Sequence, residues 1–375
     1  MSTNQLYYTW LQRIRQLRPN ERITRLRTFA WLVTGIYQSR SVHLSKIAGK
    51  IPGSAKLVSL TRRLSRFLDN PAIRVREWYE PVARGLLDYV AKTSGEIRLI
   101  TDGTKVSFGH QLLMVAVAFR GRAIPIAWTW GKGAKGHSPA GKQLALLAYV
   151  HGLLPVGSTV LLVGDSEFGA VEVLRQLDTW RWKYVLRQKA NHLVKLAGAS
   201  DWQRFGDLIQ RPGQSLWFGK GLLTGEFAYS VNLLAHWAVG EDEPWLLATN
   251  LLSQQDALRA YRRRMWVEEM FGDLKGHGFD LESTHLVHVQ RLSRLTLAVV
   301  FLYAWLVVVG SRTIKNGDRH LVDRKDRRDL SIFQIGWRII ERRLTNSLAL
   351  LMPFCPYGQL KLSGPVFDTF LSGLG

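Results

Sequence analysis

Residues 97–102 read Ile-Arg-Leu-Ile-Thr-Asp and residues 160–165 read Val-Leu-Leu-Val-Gly-Asp, and these two stretches decide the fold. Each is a short aliphatic run that ends in an aspartate, which is typical of a buried strand that meets the open edge of a sheet. A single acid after a strand is most often a turn residue or a helix cap. Two acids in equivalent positions indicate instead that Asp102 and Asp165 share one site.

The residues around these strands predict an α/β core. Two apolar runs, residues 111–119 and 123–130, flank a turn at residues 120–122 and predict a hairpin. The elements that follow are predicted as a helix over 141–154, a strand over 159–163, a helix over 170–177 and a strand over 183–187. Three antiparallel strands followed by helix, strand, helix and strand is the order of a ribonuclease H-like fold.

Composition predicts four regions along the chain. Residues 190–250 alternate glycine and tryptophan with short apolar runs and predict a β-rich insertion, after which residues 254–275 predict one helix. The regions are a helical basic DNA-binding domain over 1–94, a catalytic core over 95–189 and 251–284, the insertion over 190–250, and a C-terminal helical region over 285–375 for DNA binding or oligomerisation.

The charge indicates a polyanionic partner. Lys and Arg number 51 and Asp and Glu 29, a net charge of +22, which favours nucleic acid over an anionic membrane because the basic residues are spread along the chain. The predicted helix 57–68 follows a short helix and a Pro-Gly turn and carries Arg62, Arg63 and Arg66. This pattern favours a helix-turn-helix that binds DNA; a helical bundle with solvated arginines is the alternative.

Other features bound the class of protein. Cys355 is the single cysteine, which excludes an intramolecular disulfide and a cysteine-based zinc site. The first residues carry no apolar signal, so we expect a cytoplasmic, nucleoid-associated protein. Leu295–Ser311 is uncharged and strongly apolar; we interpret it as a buried core helix, and a membrane span is the alternative.

The segment from Tyr261 to Lys275 supplies a third acid. On a helix, Tyr261, Arg264, Glu268 and Lys275 fall on one stripe. Such a stripe is also compatible with a surface salt-bridge ladder. Phosphodiester cleavage with two metal ions needs several converging carboxylates, and Glu268 would complete the set begun by the two aspartates.

This spacing, Tyr-x2-Arg-x3-Glu-x6-Lys, resembles the YREK signature of insertion-sequence family four transposases, a group of DDE transposases. Asp102 in Thr-Asp-Gly-Thr and Asp165 in Gly-Asp-Ser-Glu-Phe are similar to the other two acids of that family, and the resemblance covers about residues 95 to 285. It implies an α/β ribonuclease H-like core with a β-rich insertion, flanked by helical regions. It also implies that the three acids hold Mg²⁺, for which Mn²⁺ can substitute, and that transposition is cut-and-paste through a hairpin.

The resemblance implies roles for further residues and partners. The phosphate backbone of double-stranded DNA would be contacted by Tyr261, Arg264 and Lys275. The DNA partners would be the terminal inverted repeats and the target, and the protein would be a homodimer in the DNA complex. A tryptophan would stack on a flipped base, with Trp217, Trp237 and Trp245 as candidates.

Several alternatives stay open beside this assignment. Glu269 adjoins Glu268, but one helical step of about 100° should point it away from the site. We interpret His110, His137 and His277 as surface loop residues and not as metal ligands. A DNA-binding regulator without catalysis, and a ribonuclease H-like nuclease that cuts without joining, are the alternative functions.

Overall fold

The strands form a single ten-stranded mixed sheet in the computed structural model, which describes residues 2–106, 109–133 and 138–355. The strands are β1 Glu96–Val106, β2 His110–Phe119, β3 Arg122–Lys132, β4 Thr159–Gly164, β5 Lys183–Arg187, β6 Leu193–Leu196, β7 Gln203–Arg204, β8 Ser215–Leu223, β9 Tyr229–His236 and β10 Trp245–Thr249. Their order across the sheet is β3-β2-β1-β4-β5-β10-β9-β8-β6-β7.

The centre of the sheet is parallel. β1 pairs in parallel with β4, and β4 with β5, while β2 and β3 form the predicted antiparallel hairpin on the other side of β1. Thr101 is paired with Gly164, so the two predicted aspartates follow in step on neighbouring strands. The register of this parallel pair therefore places both acids at one edge of the sheet.

The helices cover the sheet and form a helical layer beside it. They are α1 Ser2–Leu17, α2 Ile23–Ser39, α3 Leu44–Ala48, α4 Leu57–Asp69, α5 Val75–Ser94, α6 Ala140–His151, α7 Val171–Thr179, α8 Gln254–Tyr261, α9 Met265–Leu274, α10 Val289–Lys315 and α11 Ile332–Thr345. The predicted helices over 141–154 and 170–177 correspond to α6 and α7.

The strands from β6 to β10 extend the central sheet instead of forming a separate one. β10 pairs with β5, and β9 and β8 continue outward from it. The sequence predicted the strands of this region only from β8 onward, because β6 and β7 are too short to show an alternating pattern. The β-rich region is thus continuous with the sheet that carries the acids.

The single helix predicted over 254–275 is interrupted by one tighter turn, although the backbone at Tyr261, Arg264 and Met265 stays in the right-handed helical region. α8 ends at Tyr261, a 3-10 turn occupies Arg262–Arg264, and α9 begins at Met265. Lys275 follows α9 with φ −96° and ψ −129°, which is not helical. The Lys275 N–H still donates to the Phe271 carbonyl at 3.0 Å, so Lys275 lies at the very end of the helix that carries Glu268.

The apolar segment 295–311 lies within α10, which is a core helix as predicted. α10 is long and apolar enough to cross a membrane, but 89% of its most apolar window is buried inside the protein. Trp305 of α10 packs edge-to-face on Trp10 of α1 at 5.3 Å between ring centroids, and Phe301 packs on Phe29 of α2 at 5.4 Å. Helices from both ends of the described chain therefore share one hydrophobic core around α10.

The basic helix α4 packs on the start of α10. Arg294 donates to the Leu68 carbonyl at 2.8 Å, and Arg291 pairs with Asp69 at 3.2 Å. Arg62, Arg63 and Arg66 are exposed on α4. The connection from α3 to α4 runs over residues 49–56, longer than the turn of about 3–4 residues in a helix-turn-helix, so the tight turn expected there is wrong.

Candidate active site

Asp102 and Asp165 lie side by side where the parallel pairing of β1 and β4 ends. Asp102 is buried, and its Oδ1 accepts a hydrogen bond from the Gly103 backbone N–H at 2.7 Å. β1 does not end at Asp102 as expected, because residues beyond it continue to pair with β2. Asp165 is partly buried, and its Oδ1 has no hydrogen-bond partner among the described residues.

The Arg264 guanidinium brings the three predicted acids together. Its Nη1 donates to Glu268 Oε1 at 2.6 Å. Its Nη2 lies 3.5 Å from Asp102 Oδ2 and 3.9 Å from Asp165 Oδ2. Burial alone would lower the pKa of Arg264, but the surrounding acidic groups, led by Asp102, raise it instead. The guanidinium is thus a fixed positive charge at the centre of the site.

The contact between Arg264 and Glu268 is also the helical i, i+4 pair that a surface ladder would contain. Glu268 is half-exposed, with 48% of its side chain accessible, but only 10% of the Arg264 side chain is. Arg264 reaches from its helix to two strands of the sheet, so it is not part of a solvated ladder. The structure therefore places the acids from three separate chain segments around one cation.

Tyr261 lies beside this cluster. It is buried, its hydroxyl has no hydrogen-bond partner among the described residues, and burial raises its pKa. Trp245 packs edge-to-face against it at 5.0 Å between ring centroids. The aromatic pair forms the wall of the site on the β10 side.

Lys275 does not join the acids. Its ammonium pairs with Glu282 beyond the end of α9. Arg62, Arg63 and Arg66 also make no contact with the acid cluster, since they stand on the exposed face of α4 in the helical layer. The structure thus unites Asp102, Asp165, Tyr261, Arg264 and Glu268 and leaves the other candidate residues elsewhere.

A second charged cluster holds the other face of α9, and the sequence did not indicate it. Glu269 points away from the acids, as expected, and pairs with Arg122 at 2.8 Å; the same guanidinium lies 3.0 Å from Asp273. Burial raises the pKa of Asp273 to about 6, which Arg122 opposes. The turn between β2 and β3 is therefore tied to the helix that carries Glu268.

The three histidines differ from one another. His110 is buried in β2 and contacts the Val287 carbonyl at 3.0 Å, so its interpretation as a surface loop residue is wrong; the strand begins one residue earlier than the sequence pattern suggested. His277 is an exposed loop residue, as expected. His137 lies outside the described residues.

The donor set suits a hard divalent cation. Carboxylate oxygens are the ligands that Mg²⁺ prefers, and the buried Asp165 Oδ1 is an acceptor without a donor. Within the described ranges, however, no three His, Cys, Asp or Glu side chains are grouped closely enough to hold an ion as they stand. Arg264 explains this, because its guanidinium lies between the carboxylates and offsets part of their charge.

Sheet and site together define an α/β protein with three carboxylates gathered at one edge of a mixed sheet. The family model described as "Transposase DDE domain" matches residues 93–305, which include all three acids, and the chain belongs to this family. It is thus a DDE transposase.

The chain is similar to one in the "Cryo-EM structure of piggyBac transposase synaptic complex with hairpin DNA", with a TM-score of 0.41, 11% sequence identity, and coverage of 98% of this chain and 80% of that one. A comparison with curated proteins found no match.

Proposed function

We propose that this transposase cuts DNA at the ends of its element and joins those ends to target DNA, with Mg²⁺ held by Asp102, Asp165 and Glu268. The observation that carries the proposal is the convergence of these acids on the Arg264 guanidinium. Divalent ions bound there would activate the attacking oxygen and stabilise the leaving one. Mn²⁺, which accepts the same oxygen ligands, would substitute for Mg²⁺.

Arg264 would then exchange partners during the reaction. A guanidinium is a planar fork that binds carboxylate and phosphate oxygens equally well. When cations occupy the acids, the positive charge of Arg264 would be repelled from them and could turn to the DNA phosphate. The buried Arg264 Nε, which has no hydrogen-bond partner among the described residues, would be available for that contact.

The ribonuclease H-like assignment rests on the order of the first five strands. The arrangement β3-β2-β1-β4-β5, with β1, β4 and β5 parallel, supports it together with the order of elements along the chain that the sequence pattern predicted. Tyr261, Arg264 and Glu268 support membership of the YREK group because they meet at the site. Lys275 departs from that picture, and its contact with DNA would require release from Glu282.

We further propose that cleavage proceeds through a hairpin at the element's end, with a flipped base stacked on a tryptophan. Of the three candidates, Trp245 is favoured because it packs on Tyr261 beside the acids. Trp237 donates its indole N–H to the Glu241 carbonyl at 2.9 Å, which ties it to its own loop. Stacking on an aromatic ring contributes about 1–3 kcal/mol per base.

The remaining assignments follow from the charge and the helical layer. Residues 1–94 would bind the terminal repeats, residues 190–250 would line the DNA beside the core, and the C-terminal region would bind DNA or a second subunit. The active form would be a homodimer on double-stranded DNA in the cytoplasm, associated with the nucleoid.

Strand cleavage by single variants tests the proposal. Asp102→Ala, Asp165→Ala and Glu268→Gln should each abolish cleavage of a duplex that carries the repeats flanking the gene, while most DNA binding remains. Glu269→Gln is the matched control, because Glu269 adjoins Glu268 in the chain but its carboxylate faces Arg122 and not the acid cluster. An acid whose variant cuts at near the wild-type rate would be misassigned.

The same assay separates the alternative functions. Metal-dependent nicking by the purified wild-type protein eliminates a regulator without catalysis. Precut ends incubated with a target plasmid distinguish a transposase from a nuclease, because only strand transfer yields a joined product. Cleavage without joining under either Mg²⁺ or Mn²⁺ would favour the nuclease.

A further inference from the structure

A fourth carboxylate, Glu167, lies two residues after Asp165 and outside the acid cluster. It is 8% exposed and stands in the single 3-10 turn Ser166–Phe168 that follows β4. Burying a carboxylate in a protein is costly unless hydrogen bonds replace its hydration. The question is therefore which groups hold it and what that arrangement achieves.

Three hydrogen bonds satisfy the Glu167 carboxylate. The Gln111 side-chain amide donates to Oε1 at 2.7 Å and to Oε2 at 2.9 Å. The Ser138 backbone N–H donates to Oε1 at 2.8 Å. Gln111 is itself buried on β2. Both oxygens of the Glu167 carboxylate thus have donors, which restricts its orientation because rotating it would leave a buried oxygen unpaired.

Gln143 of α6 locks the same turn from the other side. Its side-chain N–H groups donate to the Glu167 backbone carbonyl at 2.7 Å and to the Ser138 carbonyl at 3.0 Å. It is 1% exposed. The turn after Asp165 is thus fastened to β2 through Gln111 and to α6 through Gln143.

The Glu167 carboxylate also packs against the strand that carries Asp102. A Cβ built on Gly103 would lie 2.8 Å from Glu167 Oε2 and 3.0 Å from Gln111 Nε2, so only glycine fits there. The Gly103 N–H in turn donates to Asp102 Oδ1. One side chain therefore touches the turn behind Asp165 and the backbone beside Asp102.

We propose that Glu167 is a positioning residue that sets the separation and orientation of the Asp102 and Asp165 carboxylates. This inference rests on the proposed function, in which those two acids hold divalent ions. Partners in the shell behind metal ligands typically change metal affinity by about 10–100-fold when they are removed. Glu167 acts through its hydrogen bonds, so its own charge need not reach the ion.

A donor–acceptor exchange tests this role. Glu167→Gln places an amide group against the Gln111 amide, where at least one N–H meets another N–H. Both Gln111 bonds come from the single nitrogen Nε2, so adding Gln111→Glu restores one of them with its polarity reversed, from the amide N–H introduced at position 167 to the carboxylate introduced at position 111. The carbonyl oxygen of that amide still accepts from the Ser138 N–H. If the Glu167 carboxylate were itself a metal ligand, the double variant would not recover metal binding, because position 167 would still lack a carboxylate.

The measurement is Mn²⁺ binding to the full-length, DNA-free protein, followed by the electron paramagnetic resonance signal of free Mn²⁺. Glu167→Gln should weaken binding by about 10–100-fold, and Gln111→Glu/Glu167→Gln should recover part of that loss. Glu172→Gln, an exposed acid on α7, is the control and should bind like wild type. Wild-type affinity in Glu167→Gln, or no recovery in the double variant, would overturn the proposal.

Two further arms separate the possible failures. If melting shows that Glu167→Gln is unfolded, Gln111→Ala decides, since it removes two of the three hydrogen bonds and should weaken Mn²⁺ binding in the same direction; wild-type affinity there overturns the proposal. Asp165→Asn should lose most Mn²⁺ binding. If Asp165→Asn keeps Mn²⁺ binding, the proposed metal site is wrong, and so is the positioning role of Glu167. If Asp165→Asn loses binding but Glu167→Gln keeps it, only the role of Glu167 is wrong.

Discussion

Arg264 offsets part of the charge of three carboxylates that would otherwise repel one another at the edge of the sheet. Asp102 and Asp165 are held by the strand register, and Glu268 is held four residues along the chain from the arginine itself. A buried charge that loses its partner is strongly destabilising, by about 3–5 kcal/mol. Arg264 therefore stabilises the DNA-free protein, independently of any contact that it makes with DNA.

Arg264→Ala should accordingly lower the free energy of unfolding by about 3–5 kcal/mol when divalent ions are chelated. Mg²⁺ should recover part of that loss, because it would replace the missing positive charge, while end cleavage stays abolished. Thermal melting in EDTA and in MgCl₂, with cleavage on the same preparation, measures both effects. Arg259→Ala, an exposed residue of α8, is the control, and identical melting of wild type and Arg264→Ala in EDTA would contradict the expectation.

Single residues were predictable where the chain pattern is local. The aliphatic runs before Asp102 and Asp165, and the spacing that selects Glu268, were enough to propose that these acids meet. Glu167 was missed because an acid in a turn after a strand has no signal of its own, and its donors come from distant positions of the chain. The helical spacing is equally compatible with an exposed salt-bridge ladder, and it is the burial of Arg264 that excludes the ladder.

At the scale of elements, α9 is held against the β2–β3 turn by Arg122. The groups that face the Asp273 carboxylate are Arg122, Glu269, His277 and Tyr303. Tyr303 is fully buried on α10, and its hydroxyl has no hydrogen-bond partner among the described residues. Burial is the largest influence on Asp273, so its protonated form is favoured in the folded protein more than in the unfolded chain.

This raised pKa predicts a pH dependence of stability. The pKa of Asp273 is about 6 in the fold against an ordinary 3.8, so the folded protein binds more protons between these values. The stabilisation is complete below about pH 4 and is lost as the pH rises through 6, by about 3 kcal/mol in total.

Denaturant unfolding of wild type and Asp273→Asn between pH 4 and 7 tests this. The stability of wild type relative to the variant should fall as the pH rises. Asp256→Asn, an exposed acid of α8, should show no such trend, and a relative stability of Asp273→Asn that is independent of pH would contradict the assignment.

Elements were predictable where their pattern is long. The hairpin, the parallel strands and α10 were found, whereas the break at Arg262–Arg264 was not. Helical periodicity runs through that segment without interruption, and the break coincides with the contacts of Arg264 to two strands far away in the chain. Periodicity also cannot show that β10 pairs with β5, because that pairing joins segments about sixty residues apart.

At the scale of the whole molecule, residues 1–95 hold more than half of the net positive charge, because they contain few acidic residues. Residues 1–95 carry 17 Lys and Arg against 5 Asp and Glu. In this region α1, α2 and α4 pack on α10, and the aromatic contacts of Trp10 and Phe29 bury surface that an isolated fragment would expose. DNA binding by this region is therefore best tested in the full chain.

The three exposed arginines of α4 offer that test. A protein that neutralises phosphates releases counterions, so the logarithm of its affinity falls with the logarithm of salt concentration by about 0.9 per phosphate. If Arg62, Arg63 and Arg66 each meet a phosphate, replacing all three with alanine should reduce the slope by about 2.7. Melting should be unchanged, because none of the three is buried.

The matched control replaces Arg324 and Arg327, which are equally exposed but pair with Asp326 and Asp329 in their own loop. Their charge is already balanced locally, so the control should keep the wild-type slope. Affinity is measured by fluorescence anisotropy of an end-containing duplex between low and physiological salt. An unchanged slope in the α4 variant would mean that these arginines are only solvated, as in an ordinary helical bundle, and would move the DNA-binding surface away from α4.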